Sequence, residues 1–94
     1  MINVAILIGN SDDRLTQAQW ANYVNTMRHQ ISRHVEEIHC ESLTASDSSR
    51  QSACFVVSTM NTASKSGLRS AVIQVRRQFN QDSVAWLEGK TELI

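Results

Sequence analysis

The chain of 94 residues contains no proline, three glycines and two cysteines, and only 5% of its residues are aromatic. The lack of proline and the scarcity of glycine exclude a collagen-like or proline-rich linker protein. Two cysteines are too few for a disulfide scaffold, and their spacing does not match the CxxC pattern of zinc sites. Because aromatic residues are scarce, the core must be built mainly from aliphatic side chains.

The sequence also lacks net charge, because nine Lys and Arg residues balance nine Asp and Glu residues. A neutral chain has no general electrostatic attraction for nucleic acids or anionic membranes, so we expect neither as a partner. The longest apolar run, residues 4–8, is too short to span a bilayer and is not flanked like a signal peptide. We therefore expect a cytoplasmic protein in which Cys40 and Cys54 are reduced and buried in strands.

Two segments have the apolar spacing of amphipathic helices. Residues 16–34 and 62–80 carry apolar side chains at intervals of three and four, which predicts one buried stripe on each helix. The first stripe consists of Trp20, Val24, Met27 and Ile31 and continues to Val35, just beyond the segment, and the second consists of Leu68, Val72, Val75 and Phe79. Either Thr62 or Ser64 is the expected N-cap of the second helix.

Four other segments have the period-two patterning of strands, and the first of them is apolar on both faces, as in a central strand. They are residues 2–8, 36–42, 53–59 and 83–87. Within the second of them, the alternation predicts that Ile38 and Cys40 point inward and that Glu37, His39 and Glu41 point to solvent. A glycine-centred turn at residues 88–90 favours a short additional strand at residues 91–94, which would complete a hairpin.

The predicted order of elements is β-α-β-β-α-β over a single domain of residues 1–94. Right-handed crossovers then place both helices on one face of an antiparallel sheet with strand order 4-1-3-2. We therefore predict an α+β fold, the ferredoxin-like split β-α-β sandwich. The competing architecture is a two-layer α/β sandwich in which the terminal hairpin is placed differently.

This fold leaves one face of the sheet without helices, and apolar residues of three strands are predicted to lie on it. They are Ala5, Leu7, Cys54, Val56, Ala85 and Leu87. Large exposed apolar surfaces usually mark interfaces, and little lysine and no proline protect the sheet edges. We therefore predict a homodimer, formed either face to face or by pairing of the terminal hairpins, and the same face suits a different protein partner.

Polar loops supply the candidate ligand or partner contacts. These residues are Asn10, Ser11, Asp12, Asp13, Asp47, Arg50 and Asp82. Residues 9–13 and 44–52 are predicted to lie at sheet ends, where loops commonly bind small molecules. The structural interpretation of Asp12 and Asp13 is that they cap the first helix.

The remaining motifs indicate neither a cofactor nor a metal nor a catalytic residue. Residues 89–91 lack the glycine-rich loop that precedes the Gly-Lys-Thr of a phosphate-binding loop. His29, His34 and His39 recur every five residues, which does not make them converge as metal ligands. No nucleophile with a neighbouring base stands out in the sequence.

Short segments of the chain resemble two protein families. Residues 4–14, an aliphatic strand followed by an acidic turn, loosely resemble the ferredoxin-like CRISPR-associated nuclease of spacer acquisition, whose strand ends in aspartate where this chain has Gly9 and Asn10. Residues 8–13, 80–86 and 91–94 resemble small uncharacterised proteins of actinobacterial and phage genomes. The first resemblance implies metal-dependent nuclease activity. The second implies a small cytoplasmic accessory protein encoded by a phage.

We therefore expect a small non-enzymatic binding protein that acts through protein–protein contacts as a homodimer. The first alternative is a protein that binds a small ligand or nucleotide through residues 9–13 and 44–52. The second alternative is a metal-dependent nuclease.

Overall fold

The computed structural model describes residues 1–10, 13–44 and 50–94. The elements follow the predicted order, and their bounds are β1 Ile2–Gly9, α1 Gln17–Ser32, β2 Glu37–Leu43, β3 Ser52–Thr59, α2 Thr62–Gln78 and β4 Ala85–Gly89. The fold is a ferredoxin-like α+β sandwich, as the sequence predicts.

The four strands form one antiparallel sheet in the order β2-β3-β1-β4. This order confirms the prediction from the crossover rule. The central pair, β1 and β3, places Val4 opposite Val57 and Ile6 opposite Phe55. These four side chains are almost fully buried, because they form the sheet's half of the core beneath the two helices.

The helices supply the other half of the core through the predicted stripes. Their buried residues are Trp20, Tyr23, Val24, Met27 and Ile31 on α1 and Leu68, Ala71, Val72 and Val75 on α2. Val35 and Phe79, which the spacing assigns to the stripes, are only partly buried because both lie beyond the ends of the helices. Tyr23 is fully buried, and its ring packs 5.0 Å from that of Phe79.

Side chains at the helix starts show why α1 and α2 begin where they do. The Thr16 hydroxyl accepts a hydrogen bond from the Gln19 N–H, and the Gln19 side chain accepts one from the Thr16 N–H, which forms a capping box. The helix cap predicted at Asp12 or Asp13 is therefore wrong for Asp13, while Asp12 lies outside the described residues. The cap of α2 is Asn61, whose side chain accepts from the Ser64 N–H, so the cap predicted at Thr62 or Ser64 is wrong.

The end of α2 is shaped by Asn80, which has a positive φ of 54°. Its N–H donates to the Arg77 carbonyl, and the Gln81 N–H donates to the Arg76 carbonyl. These two bonds form a Schellman motif, which tolerates asparagine at the left-handed position. The Arg76 side chain then donates to the carbonyls of Gln81 and Asp82, which fixes the path of the chain into β4.

Strand β2 departs from the predicted alternation at a β-bulge. Ile38 lies opposite Val57 and Cys40 opposite Val56, so His39 is an extra residue in the ladder. The bulge reverses the faces of the residues that follow it. Cys40, predicted to be inward and buried, is exposed on the face without helices, whereas Glu41 shares the face of Phe55.

The short terminal strand predicted for residues 91–94 is wrong, because residues 90–94 adopt no regular structure. Strand β4 pairs with β1 and ends at Gly89, so no hairpin forms beyond it. Leu93 and Ile94 are completely exposed. Within the described part of the chain, neither helix is long and apolar enough to cross a membrane.

Candidate functional site

The face of the sheet opposite the helices, here called the open face, carries all six residues predicted for it. Leu7 lies between Cys54 and Ala85, and the register places these three side chains in one row across β3, β1 and β4. Ala5 lies in the same way between Val56 and Leu87. Because facing residues of neighbouring strands project to the same side, the two rows form one continuous apolar surface.

These side chains are accessible to a partner. Leu87 is 62% exposed and Leu7 38% exposed, while Ala5, Cys54 and Val56 are partly exposed. The bulge in β2 adds the thiol of Cys40 beside Val56. An apolar surface that spans four strands and carries no charge at its centre has the composition of an interface core. That these residues contact a second protomer stays a prediction.

A polar cluster borders the open face at the row of Ser58. His39 Nε2 lies 3.0 Å from Ser58 Oγ, and His39 Nδ1 lies 3.6 Å from Glu37 Oε2. The sequence did not reveal this serine–histidine–carboxylate arrangement, because it depends on the register that pairs Glu37 with Ser58 and on the bulge at His39. Ser58 is 1% exposed, so its hydroxyl is closed to a substrate, and the bond instead fastens the bulge to β3.

Asn10, a predicted contact residue, organises the loop between β1 and α1. Its Nδ2 donates to the Leu15 carbonyl at 2.9 Å and to Gln51 Oε1 at 3.1 Å, and its Oδ1 accepts from the Leu15 N–H at 2.9 Å. The Asp13 carboxylate also accepts from Asn10 Nδ2, at 3.3 Å. Gln51 is buried and donates onward to Gln17 Oε1 at 2.8 Å.

The other predicted contact residues lie at the same end of the sheet, or outside the described residues. Asp82 receives two hydrogen bonds from Arg14, at 3.0 and 3.3 Å, which join the β1–α1 loop to the α2–β4 loop. Arg50 is exposed next to buried Gln51. Ser11, Asp12 and Asp47 lie outside the described residues. The structure thus brings residues 9–10, 13 and 50–52 together, and ligand contact at them stays a prediction.

Two clefts flank the helices. A cleft of about 230 Å³ between α1 and β2 is lined by residues that include Gln17, Trp20 and Gln51. Arg28 also lines this cleft, and its side chain is fixed by Glu41. Arg28 Nε donates to the two carboxylate oxygens of Glu41 at 2.7 and 2.8 Å, and Arg28 Nη2 donates to the same carboxylate. This hydrogen bonding raises the pKa of Arg28 further above its ordinary value.

The second cleft, of about 90 Å³, lies between α2 and β4 beside Trp86. The Arg69 guanidinium sits 5.7 Å from the centre of the Trp86 ring, within the range of a cation–π contact. Trp86 Nε1 donates to Glu88 at 3.0 Å, and this bond is the largest cause of the lowered pKa of Glu88. Lys65 also pairs with Glu88, at 3.3 Å.

The potential metal ligands of the described residues do not gather at one place. No group of three or more His, Cys, Asp or Glu side chains in residues 1–10, 13–44 and 50–94 is arranged to hold a metal ion. In the acidic turn at residues 12–13, the carboxylate that the structure describes is that of Asp13, which accepts a hydrogen bond from Asn10 Nδ2.

Comparison with known proteins supports the fold and leaves the activity open. No protein family's sequence profile and no curated protein sequence matches the chain. Among solved structures, the chain is similar to a dimeric ferredoxin-like protein from an uncultured marine organism, with a TM-score of 0.52 and 4% sequence identity. The match covers 99% of this chain and 90% of the other. At this identity the likeness shows a shared fold, and an actinobacterial or phage origin stays a prediction.

Proposed function

We propose that the chain is a non-enzymatic binding protein that works as a homodimer assembled through the open face of its sheet. The observation that carries this proposal is the continuous apolar surface formed by the rows of Leu7 and Ala5. In a two-fold dimer the same surface of both protomers is buried, so one apolar face is sufficient to form the interface. The dimeric state of the structurally similar marine protein supports the assembly.

The physical driving force is removal of apolar surface from water. Burial of apolar area contributes about 25 cal/mol per Å². Leu87 and Leu7 provide large exposed side chains, and the small side chains of Ala5 and Ala85 beside them allow a facing sheet to approach closely. Sheets packed face to face lie about 10 Å apart, which suits side chains of this mixed size.

Sedimentation velocity on Val56→Lys tests the assembly. Val56 lies on β3 in the same row as Ala5, where a lysine ammonium would be buried in the dimer without a partner. We expect the wild type to sediment as a dimer at micromolar concentration and the variant as a folded monomer. Gln74→Lys, at an exposed position of α2 in the helix layer, is the matched control and should remain dimeric. A monomeric wild type would overturn the proposal.

We propose a cytoplasmic location, because a chain with two cysteines, too few for a disulfide scaffold, is typical of a compartment that keeps thiols reduced. Cys40 and Cys54 both lie on the open face. Exposed thiols persist where the compartment keeps them reduced.

The cleft between α1 and β2 favours a second candidate function, binding of a small ligand or nucleotide. It combines the indole of Trp20 with the polar side chains of Gln17 and Gln51, a mixture typical of small-molecule sites. Native mass spectrometry of the freshly purified protein tests this function. A bound mass that is lost in Trp20→Ala and retained in Gln74→Lys would support it, and protein free of any bound mass would count against it. Nothing in the described residues favours the metal-dependent nuclease over either function.

A further inference from the structure

The cleft between α2 and β4 combines apolar walls with two guanidinium groups. Arg69 and Arg76 are seven residues apart, which is two turns of α2, so they lie on the same side of the helix about 10 Å apart along its axis. The cleft has a volume of about 90 Å³, and its lining residues are Arg69, Val72, Ile73, Arg76, Val84 and Trp86. An apolar cleft with a few convergent polar groups is typical of a small-molecule site.

The positive charge of this cleft is not balanced by the acidic residues that flank residues 84–86 in sequence. Glu88 pairs with Lys65 at 3.3 Å, and Asp82 pairs with Arg14 at 3.0 Å. In the part of the chain that the structure describes, no carboxylate forms an ion pair with either guanidinium of the cleft. Because the chain as a whole has no net charge, the cleft is a local concentration of positive charge that attracts an anion.

Arg76 is held in place by one end of its guanidinium. Its Nη1 donates to the carbonyls of Gln81 at 2.9 Å and Asp82 at 3.3 Å, whereas Nε and Nη2 donate to no acceptor of the described residues. The N–H groups of Nε and Nη2 share the edge with which arginine binds a carboxylate or phosphate through two parallel bonds. Arg28 uses the same two nitrogens on the carboxylate of Glu41. The free edge of Arg76 is therefore oriented before an anion binds, which lowers the cost of ordering it.

The other end of the cleft is formed by Arg69 and Trp86. The Arg69 guanidinium lies 5.7 Å from the centre of the Trp86 ring. Trp86 Nε1 already donates to Glu88, so the indole offers a ligand its apolar ring and not a hydrogen bond. Val72 and Val84 continue this apolar wall towards Arg76. An anion bound by Arg76 can therefore place an apolar body against these side chains.

We infer that this cleft binds a small organic anion, a carboxylate or phosphate group carried on an apolar body. The oxyanion accepts two parallel hydrogen bonds from Arg76, the apolar body packs against Val72, Val84 and Trp86, and the charge of Arg69 adds to the attraction. Because α2 covers the face of the sheet opposite the open face, the proposed homodimer leaves this cleft accessible. The oligomeric state therefore does not decide whether the site exists.

An NMR titration of the ¹⁵N-labelled wild type tests the site, because the two tryptophans of the chain line different clefts. The probes are butyrate, butyl phosphate and the neutral butyramide, and Trp86→Phe assigns the two indole N–H signals. We expect at least one of the anions to shift the Trp86 signal saturably, and butyramide to leave it unchanged. The tighter of the two anions identifies the oxyanion that the site takes. A shift confined to the Trp20 signal would place the anion in the cleft between α1 and β2 and would overturn the inference.

Three variants on α2 separate the site from general electrostatic attraction. We expect Arg76→Gln to weaken anion binding at least about tenfold and Arg69→Gln at least about threefold. Arg77→Gln removes the same charge from an exposed neighbour outside the cleft, and its affinity should match that of the wild type. Arg69→Gln loses no hydrogen bond to the described residues, so it remains decisive if Arg76→Gln lowers stability.

Three further results would contradict the anion site. They are an unchanged affinity in Arg69→Gln, an equal loss in Arg77→Gln, and the absence of a saturable shift with either anion up to about 10 mM.

Discussion

Asn10 and Gln51 are joined twice, once through their backbones and once through their side chains. The Asn10 N–H donates to the Gln51 carbonyl at 3.1 Å, and Asn10 Nδ2 donates to Gln51 Oε1 at 3.1 Å. The two residues are 41 positions apart in sequence. They connect the end of β1 to the start of β3, at the end of the sheet where the candidate ligand loops meet.

Removal of the Asn10 side chain should therefore destabilise the fold itself. Asn10→Ala leaves buried Gln51 without one hydrogen-bond donor and the Leu15 N–H without its side-chain acceptor. We expect a loss of about 2–3 kcal/mol in the free energy of unfolding, measured by urea denaturation. Asn22→Ala, at an exposed position of α1, is the control and should change stability by less than about 1 kcal/mol. Equal stability of the two variants would contradict this role of Asn10.

The core offers a second comparison, between Ile31 and Phe79. Ile31 is 0% exposed, whereas Phe79 is only partly buried beyond the end of α2. Ile31→Ala should cost about 2–5 kcal/mol, which approaches the whole stability of so small a domain. Phe79→Ala should cost less, despite the larger side chain, because its surroundings relax towards solvent. Thermal denaturation of the two variants ranks the costs, and a lower melting temperature for Phe79→Ala would contradict the ranking.

The layers of the fold could be predicted because they follow from short-range periodicity. The alternation of Val4, Ile6 and Ile8 and the stripe that contains Met27 and Ile31 each define a buried face without reference to the rest of the chain. The crossover rule then leaves few ways to arrange two such halves. The same alternation placed Leu7 and Val56 on the open face, so the candidate interface could be located from the sequence.

The predictions for β2 and for the start of α1 were wrong because a single residue changes the local geometry at each place. The bulge at His39 reversed the faces of Cys40 and Glu41, and no pattern of types within β2 indicates an extra residue. Thr16, and not Asp13, caps α1. The Asp13 N–H donates to the Asn10 carbonyl in a turn that precedes the helix, so α1 begins after Thr16. Contacts of this kind depend on residues distant in sequence, so a single sequence does not reveal them.

The same bulge creates a third testable relationship, the ion pair between Arg28 and Glu41. Both side chains are partly shielded from solvent, and the guanidinium contacts both carboxylate oxygens. A double-mutant cycle with Arg28→Ala and Glu41→Ala should give a coupling energy of about 1 kcal/mol. The more exposed pair of Arg14 and Asp82 is the control and should give a smaller coupling that 1 M salt screens more strongly. A larger coupling for the exposed pair would contradict the expectation.

Tyr23 supplies a prediction about alkaline pH. Burial raises the pKa of Tyr23 to about 12 from an ordinary value of 10.0, and the charge of Arg76 opposes part of the rise. A raised pKa means that the folded protein favours the neutral phenol. The resulting stabilisation is therefore complete below pH 10 and is lost as the pH rises towards 12. Because Tyr23 is the single tyrosine of the sequence, an absorbance titration of the phenol reports on it alone.

Tyr23→Phe separates this pH dependence from that of the lysines. The Tyr23 hydroxyl is buried and has no hydrogen-bond partner among the described residues, so its removal should leave stability at neutral pH unchanged or raise it by about 1 kcal/mol. Between pH 10 and 12 the wild type should lose at most about 1.4 kcal/mol per pH unit more than the variant, as followed by urea denaturation. A phenol that titrates near pH 10 in the folded protein, or equal alkaline losses for both proteins, would contradict the burial of an uncharged Tyr23 in the core.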